Sequence, residues 1–295
     1  MKKNKIILNF ILLSFVLAPF FSCATTKVNT SNSINIDVSE YQTSNLPLEV
    51  LCPSYLSWTP LQNKGENVEG FYIMRHSIKA LRASWTCIMV DLDTPGIEVV
   101  ASLNPEDLGI SPPLKHVKTF AKSNDAIVAI NATPWKNNTY PNDAVGIVKI
   151  DGIEYFPPVK EYCALTFSEN PLRAHIYDEQ IREEMDNYNW AFGGFFQVLK
   201  QGEVLQFNKS RRSRVAVGTN EEGNKLYFFV VTSTFLPKDG SGFNFEECAI
   251  VLKKLGCSDA MQFDGGHSSC LVLNKKDFQK PLLNRKIPIA IGLKK

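Results

Sequence analysis

The sequence predicts an α+β fold: one β-rich domain with a mixed sheet and a few packed helices. Three observations lead there. Short β-branched or aromatic runs bounded by Gly, Pro, Asn or Asp recur at 85–92, 126–131, 144–150, 213–218, 225–231 and 287–293, a pattern of buried or half-buried strands. Only two segments carry helix signals. After a polar stretch, about 250 residues run on without an internal repeat or a second linker, long for one core but consistent with a single domain.

At the start of the chain, Lys2, Lys3 and Lys5 precede an apolar stretch at 6–21. It is too short and one-sided to span a bilayer and predicts a secretory signal peptide at 1–22. Ser22-Cys23 follows directly and resembles a bacterial lipoprotein signal, in which Cys23 is lipidated and anchors an exported protein to a membrane of the cell envelope. Phe20 and Phe21 make that match a relaxed one, and the alternative is an ordinary cleaved signal with Cys23 discarded. Residues 23–45, rich in Ser, Thr and Asn and poor in large apolar side chains, predict a flexible tether. The folded domain is then 46–295.

Without the three signal lysines, the 32 basic residues fall to 29 against 30 acidic ones. That near-neutral balance argues against a nucleic-acid partner. Cys52, Cys87, Cys163, Cys248, Cys257 and Cys270 follow Cys23 without the C-x-x-C spacing of zinc sites. Export permits disulfides among them but fixes no pairing, and several suit small buried hydrophobic positions.

The first predicted helix starts at Ser111 with Pro112 just inside, where a missing N–H is harmless, and runs through Val117 and Phe120 to about Lys122. The second starts at Asn244, with Glu247 three residues on as a capping box. Cys248, Ala249, Leu252 and Leu255 recur at helical spacing, and Gly256 stops it after Lys253 and Lys254. This helix leads into the most informative segment of the chain. Residues 259–270 form a short apolar run that ends in Asp264, Gly265, Gly266, His267, Ser268 and Ser269. A strand that delivers a carboxylate beside backbone N–H groups unshielded by a Cβ suits an anion or sugar site. The alternative is a plain Asp-Gly hairpin turn between strands at 259–263 and 269–274.

Three segments are candidates to converge on Asp264. The strand ending at Asn131 offers an amide that both donates and accepts, as a sugar hydroxyl requires; closing an Asx turn is its other role. Gly193 and Gly194 precede an apolar strand, where paired glycines mark close backbone approach, and 200–203 reads as a hairpin turn. Arg214 enters an apolar strand and must either pair with an acid or bind an anion.

Taken in order, these segments resemble the phosphodiester glycosidase family. The motifs are Ala-Ile-Asn-Ala at 129–132, Gly-Ile-Val-Lys-Ile-Asp-Gly at 146–152, the Gly-Gly hairpin at 193–202, Ser-Arg-Val-Ala-Val-Gly at 213–218, Lys-Leu-Gly at 254–256 and Asp-Gly-Gly-His-Ser-Ser at 264–269. The resemblance spans roughly 81–293, and its last motif is the most specific. His267 stands where the family has a glycine, and Asn131-Ala132-Thr133 replaces the commoner Asn-Gly-Gly. Both departures narrow the proposed pocket.

The resemblance implies hydrolysis of a sugar-1-phosphodiester at its glycosidic C–O bond. Asp264 would act at the anomeric carbon as nucleophile or base, and Arg214 would hold the phosphate. Asn131, Ser268, Ser269 and the backbone at Gly193, Gly194, Gly265 and Gly266 would position oxygens. His267 would supply a proton or line the wall, and the wall is favoured because a lone histidine carries little information. The substrate is a sugar phosphodiester or an envelope glycan. No cofactor is expected, with a divalent metal left open.

Two other functions fit parts of the pattern. A phosphodiesterase cleaving P–O would recruit metals through Asp and His, but His76, His116, His175 and His267 form no H-x-H or H-E-x-x-H pair. A non-catalytic surface lipoprotein would bind glycans in the same pocket, using aromatics such as Trp135, Tyr140 and Trp190.

Overall fold

The computed structural model describes residues 46–136, 143–207, 210–233 and 240–295. The signal, Cys23, the tether and Tyr140 lie outside the described residues. Contacts divide the chain into units at Met1–Glu40 and Tyr41–Lys295, and every described residue belongs to the second. No helix among the described residues is long and apolar enough to cross a membrane.

Three sheets and a few short helices make the α+β class concrete. The largest sheet has eight strands, in the order Thr59–Asn63, Glu66–Ile78, Ala83–Asp91, Lys225–Ser233, Arg214–Thr219, Asp259–Gln262, Gln197–Lys200 and Glu203–Val204. A second has five, Ile153–Phe156, Val148–Ile150, Trp190–Gly193, Ala164–Ser168 and Arg173–Tyr177. The third is Lys276–Gln279, Leu271–Leu273, Val128–Asn131, Ala290–Lys294 and Glu98–Ala101. Pairings among the described strands are antiparallel where a mixed sheet was expected. Helix Phe245–Leu255 joins Lys225–Ser233 to Asp259–Gln262, and helix Val117–Ser123 lies between Glu98–Ala101 and Val128–Asn131, but in each case an antiparallel strand stands between the two, so no parallel pair forms.

Strand Ala83–Asp91 explains why the large sheet is central. Its period-2 alternation sends Ile88 and Val90 into one core with Val128, Ile130, Phe192, Phe228, Phe263 and Leu271. Trp85 and Cys87 go into another with Phe229, Phe243, Val251 and Leu252. Both faces are therefore apolar, so the run reads as nearly continuous hydrophobicity rather than clean alternation. The second core packs under helix Phe245–Leu255, whose capping box forms as expected. Asn244 Oδ1 accepts the Glu247 N–H at 2.7 Å, and Glu247 Oε2 accepts the Asn244 N–H at 2.8 Å. Gly256 closes the helix at φ 106°, where a Cβ is strained.

The other helix is shorter than expected, running Val117–Ser123 from an N-cap at His116. Lys115 and Ile287 exchange backbone hydrogen bonds at 3.0 and 2.9 Å, so Lys115 is held in a β-bridge and the helix begins only after it. Bridging shortens two expected strands as well. The run at 144–150 is strand only at Val148–Ile150, with Ala144 bridging Trp135, and the run at 287–293 becomes Ala290–Lys294.

Candidate active site

Asp264 does not sit in a hairpin turn. Strand Asp259–Gln262 pairs within the eight-stranded sheet, whereas Leu271–Leu273 pairs with Val128–Asn131 in the third sheet. The residues between them cross from one sheet to the other, which answers the question the Asp-Gly dipeptide left open. Fixed bonds hold the crossing. Phe263 N–H donates to Val215 O at 2.9 Å, Asp264 N–H to Ala132 O at 3.2 Å and Gly266 N–H to Ser213 O at 2.9 Å. Gly266 has φ 60°, a conformation side chains resist.

Asn131 clamps this crossing at both ends. Its Nδ2 donates to Asp264 O at 2.6 Å, and its Oδ1 accepts the Cys270 N–H at 2.9 Å. The side chain is buried, with one N–H and one oxygen lone pair engaged by the loop, a positioning role beside the sugar contact expected of it. It builds the loop that carries Asp264.

The partner of Asp264 is Arg285, which the sequence reading missed. Arg285 Nη2 donates to Asp264 Oδ2 at 3.3 Å, and its Nε donates to Ser268 Oγ at 2.7 Å. Ser268 lies close enough to the Asp264 carboxylate to favour its ionised form. Arg285 also lies over the Trp135 ring, 5.3 Å from its centroid, a cation–π distance. Its own N–H bonds to His267 O, and Asn284 Nδ2 bonds to His267 O and Ser269 O. The two ends of the site are thereby tied together.

Burial raises the carboxyl of Asp264 above its ordinary value. Ser268, the Arg285 charge and the Gly265 N–H pull it back without cancelling the effect. A group balanced between desolvation and a specific cation is a frequent signature of a functional carboxylate. Asp264 remains 14 % exposed.

A pocket of about 220 Å³ adjoins it, lined by Gly265, Gly266 and His267, by Arg212 and Arg285, and by Pro281, Leu282 and Leu283 among others. His267 is exposed and is one of the lining residues. Arg214 is not among the lining residues. Its Nε donates to Phe243 O at 3.1 Å, a second nitrogen bonds Ser210 O, and the guanidinium stacks 4.2 Å from the Phe245 ring centroid. Burial lowers its pKa to about 10. The arginine paired to a buried acid is instead Arg211, which grips Glu247 through Nε at 2.9 Å and Nη2 at 2.6 Å. The Arg214 head thus bonds the Phe243 and Ser210 carbonyls while its stem lies beside Gly265, and Arg212 and Arg285 are the cations among the pocket's lining residues. Alternation identifies an arginine on a strand but not what its long stem reaches. Arg214→Ala should lower stability by about 1–3 kcal/mol while leaving the KM for a phosphodiester unchanged, as read by denaturation and kinetics. A selective KM increase at unchanged stability would return Arg214 to the pocket.

Gly193 and Gly194 do mark a close approach, but to the protein itself. A Cβ on Gly194 would stand 2.7 Å from Gln262 O. Their N–H groups donate to Ile147 O and Cys163 O at 2.7 and 2.8 Å, so they support the strand before Asp264 rather than offering donors to a ligand. The expected turn at 200–203 does form a hairpin, between Gln197–Lys200 and Glu203–Val204. Trp190 belongs to the second sheet. By contrast Thr133 Oγ1, Trp135 Nε1 and Ser269 Oγ are buried without a hydrogen-bond partner, all on segments flanking Asp264. The six described cysteines are buried and free. Among the described residues no group of three or more His, Cys, Asp or Glu side chains is arranged to hold a metal.

Fold and pocket together define a β-rich domain with a carboxylate–arginine site suited to an anionic ligand. The chain belongs to the phosphodiester glycosidase family, whose model matches residues 124–294. It is similar in fold to the zebrafish N-acetylglucosamine-1-phosphodiester alpha-N-acetylglucosaminidase catalytic domain auto-inhibited by its pro-peptide. The TM-score is 0.60 at 17 % identity, over 86 % of this chain and 85 % of that one. A hypothetical protein from Synechocystis is also similar, with TM-score 0.56 at 15 % identity, over 77 % of this chain and 62 % of that one. No curated protein matches in sequence.

Proposed function

We propose that the protein hydrolyses the glycosidic C–O bond of a sugar-1-phosphodiester, releasing the sugar and a phosphomonoester. The observation that carries this is the Asp264–Arg285–Ser268 cluster beside a pocket bearing a second arginine, Arg212. A phosphomonoester is a far better leaving group than a sugar alkoxide. Strong general-acid assistance is then dispensable, which relaxes the two-carboxylate requirement of ordinary glycosidases. Asp264 supplies the anionic oxygen at the anomeric carbon. The C–O bond breaks with its electron pair going to the phosphate oxygen, and water's oxygen ends on the sugar. Arg285 has guanidinium donors beyond those engaged by Asp264 and Ser268, and with Arg212 it receives the developing phosphate charge. The unpaired buried atoms of Thr133, Trp135 and Ser269 are assigned to sugar oxygens, since buried polar atoms rarely go unpaired.

The test is a panel of sugar-1-phosphodiesters run in heavy-oxygen water. Label in the sugar together with released phosphomonoester supports the proposal; label in phosphate would mean P–O cleavage. The anomer formed first separates direct attack by Asp264 from activation of water. Binding without release would make the protein a lectin.

Export and anchoring are part of the same proposal, with a signal at 1–22, lipid on Cys23, a tether at 23–45 and the folded domain at 46–295. The basic-then-apolar start ending in Ser22-Cys23 supports them. Labelled fatty acid should be incorporated by the natural chain and not by Cys23→Ser; equal labelling would remove Cys23 from the proposal.

A further inference from the structure

The pocket beside Asp264 has a chemically mixed lining, in which Arg212 and Arg285 are the cations and Pro281, Leu282 and Leu283 are apolar. Leu282 is 86 % exposed and Leu283 55 %, and neither is among the residues of the apolar cores. Loose tethering does not account for their exposure, because the chain is fixed on both sides of them. Gln279 Nε2 donates to Ser84 O at 2.8 Å, Thr232 Oγ1 at 3.0 Å and Val230 O at 3.1 Å. Beyond the pair, Asn284 and Arg285 are bonded to His267 O. Single exposed leucines are commonplace on protein surfaces. Two adjacent ones, lining the same cavity as two arginines, match an amphiphile with an anionic head.

We infer that the group esterified to the sugar phosphate is a hydrocarbon chain. Its phosphate lies at Arg212 and Arg285, and its first methylenes lie on Leu282 and Leu283. The substrate class is then a glycosyl phospholipid, cleaved so that an alkyl phosphate departs with the electron pair of the C–O bond. This inference rests on the hydrolytic function proposed above, but its test does not need turnover.

Methyl, butyl and octyl phosphate, each kept below its aggregation concentration, are titrated calorimetrically into the full chain carrying Cys23→Ser, so that no attached lipid competes. From methyl to octyl the Kd should tighten about tenfold or more, as burial of several methylenes requires. In the Leu282→Ser/Leu283→Ser double variant this chain-length dependence should collapse. Equal affinity across the series, or a dependence that persists in the double variant, overturns the inference. So does a flat series combined with leucine-dependent binding to phosphatidylcholine vesicles, since the leucines would then contact a membrane instead. Chain-length-dependent binding without hydrolysis of any phosphodiester would sink the hydrolytic proposal and keep the amphiphile site. Hydrolysis with a flat series would do the reverse.

Discussion

Asp264→Asn should lower kcat by roughly 10²- to 10⁴-fold while the protein keeps its fold and its substrate affinity. Asn preserves the size of the side chain and can still accept from Ser268 and Arg285, so the loss isolates the negative charge. The same substitution has a second, opposite consequence. Burial raises the folded-state carboxyl above its value in the unfolded chain, so the native protein binds this proton more tightly than the unfolded one. Stability from this group is therefore fully present at low pH and is lost as pH rises through the raised folded value. At neutral pH the ionised Asp264 is a cost to the fold, and Asn removes it. The thermal midpoint of Asp264→Asn at neutral pH should thus equal or exceed that of the natural chain, as active sites often trade stability for chemistry. Retained turnover would take Asp264 out of the mechanism; lost turnover with a lowered midpoint would mean that the carboxylate is structural.

What the sequence made legible follows from the range over which each signal acts. Helix Phe245–Leu255 is local: its cap, its spacing and its terminal glycine all lie within thirteen residues, and each forms as expected. The motif around Asp264 is likewise contiguous, and its glycine and hydroxyl content marked it as unusual. Contacts between distant segments were not legible. Asn131 is 133 residues from Asp264 in sequence, and nothing in an Ala-Ile-Asn-Ala run says that both ends of its amide will be taken by one loop. Arg214 drew attention because it interrupts an apolar strand, yet its stem carries the charge to the helix entrance. Arg285 drew none because it sits in a polar turn between Asn284 and Lys286, where a cation is ordinary. The one available signal was its place just ahead of the last apolar run, on the loop that joins two strands of the third sheet, Lys276–Gln279 and Ala290–Lys294.

Arg285→Ala is the substitution that most directly tests this arrangement, and it should lower kcat/KM for a phosphodiester by roughly 10²- to 10³-fold. Two losses combine in that number. The phosphate loses a guanidinium from the pocket wall, and Asp264 loses the cation that opposes its desolvation. With Arg285 gone, only Ser268 and the Gly265 N–H still favour the ionised carboxylate, so its pKa must rise further. If the ionised form is the active one, activity grows as pH rises through that value, and the acidic limb of the pH–rate profile should move to higher pH in the variant. A residue that merely holds the loop in place would lower the rate without moving the limb. Arg285→Lys sharpens the distinction. An ammonium restores a positive charge beside Asp264 but cannot bond Ser268 and the carboxylate together through one planar fork, so it should recover much of the pH profile and little of the phosphate affinity. A limb that stays fixed in both variants would mean that Asp264 titrates independently of Arg285, and the cation assigned to the carboxylate would have to be sought elsewhere in the pocket, with Arg212 the next to test.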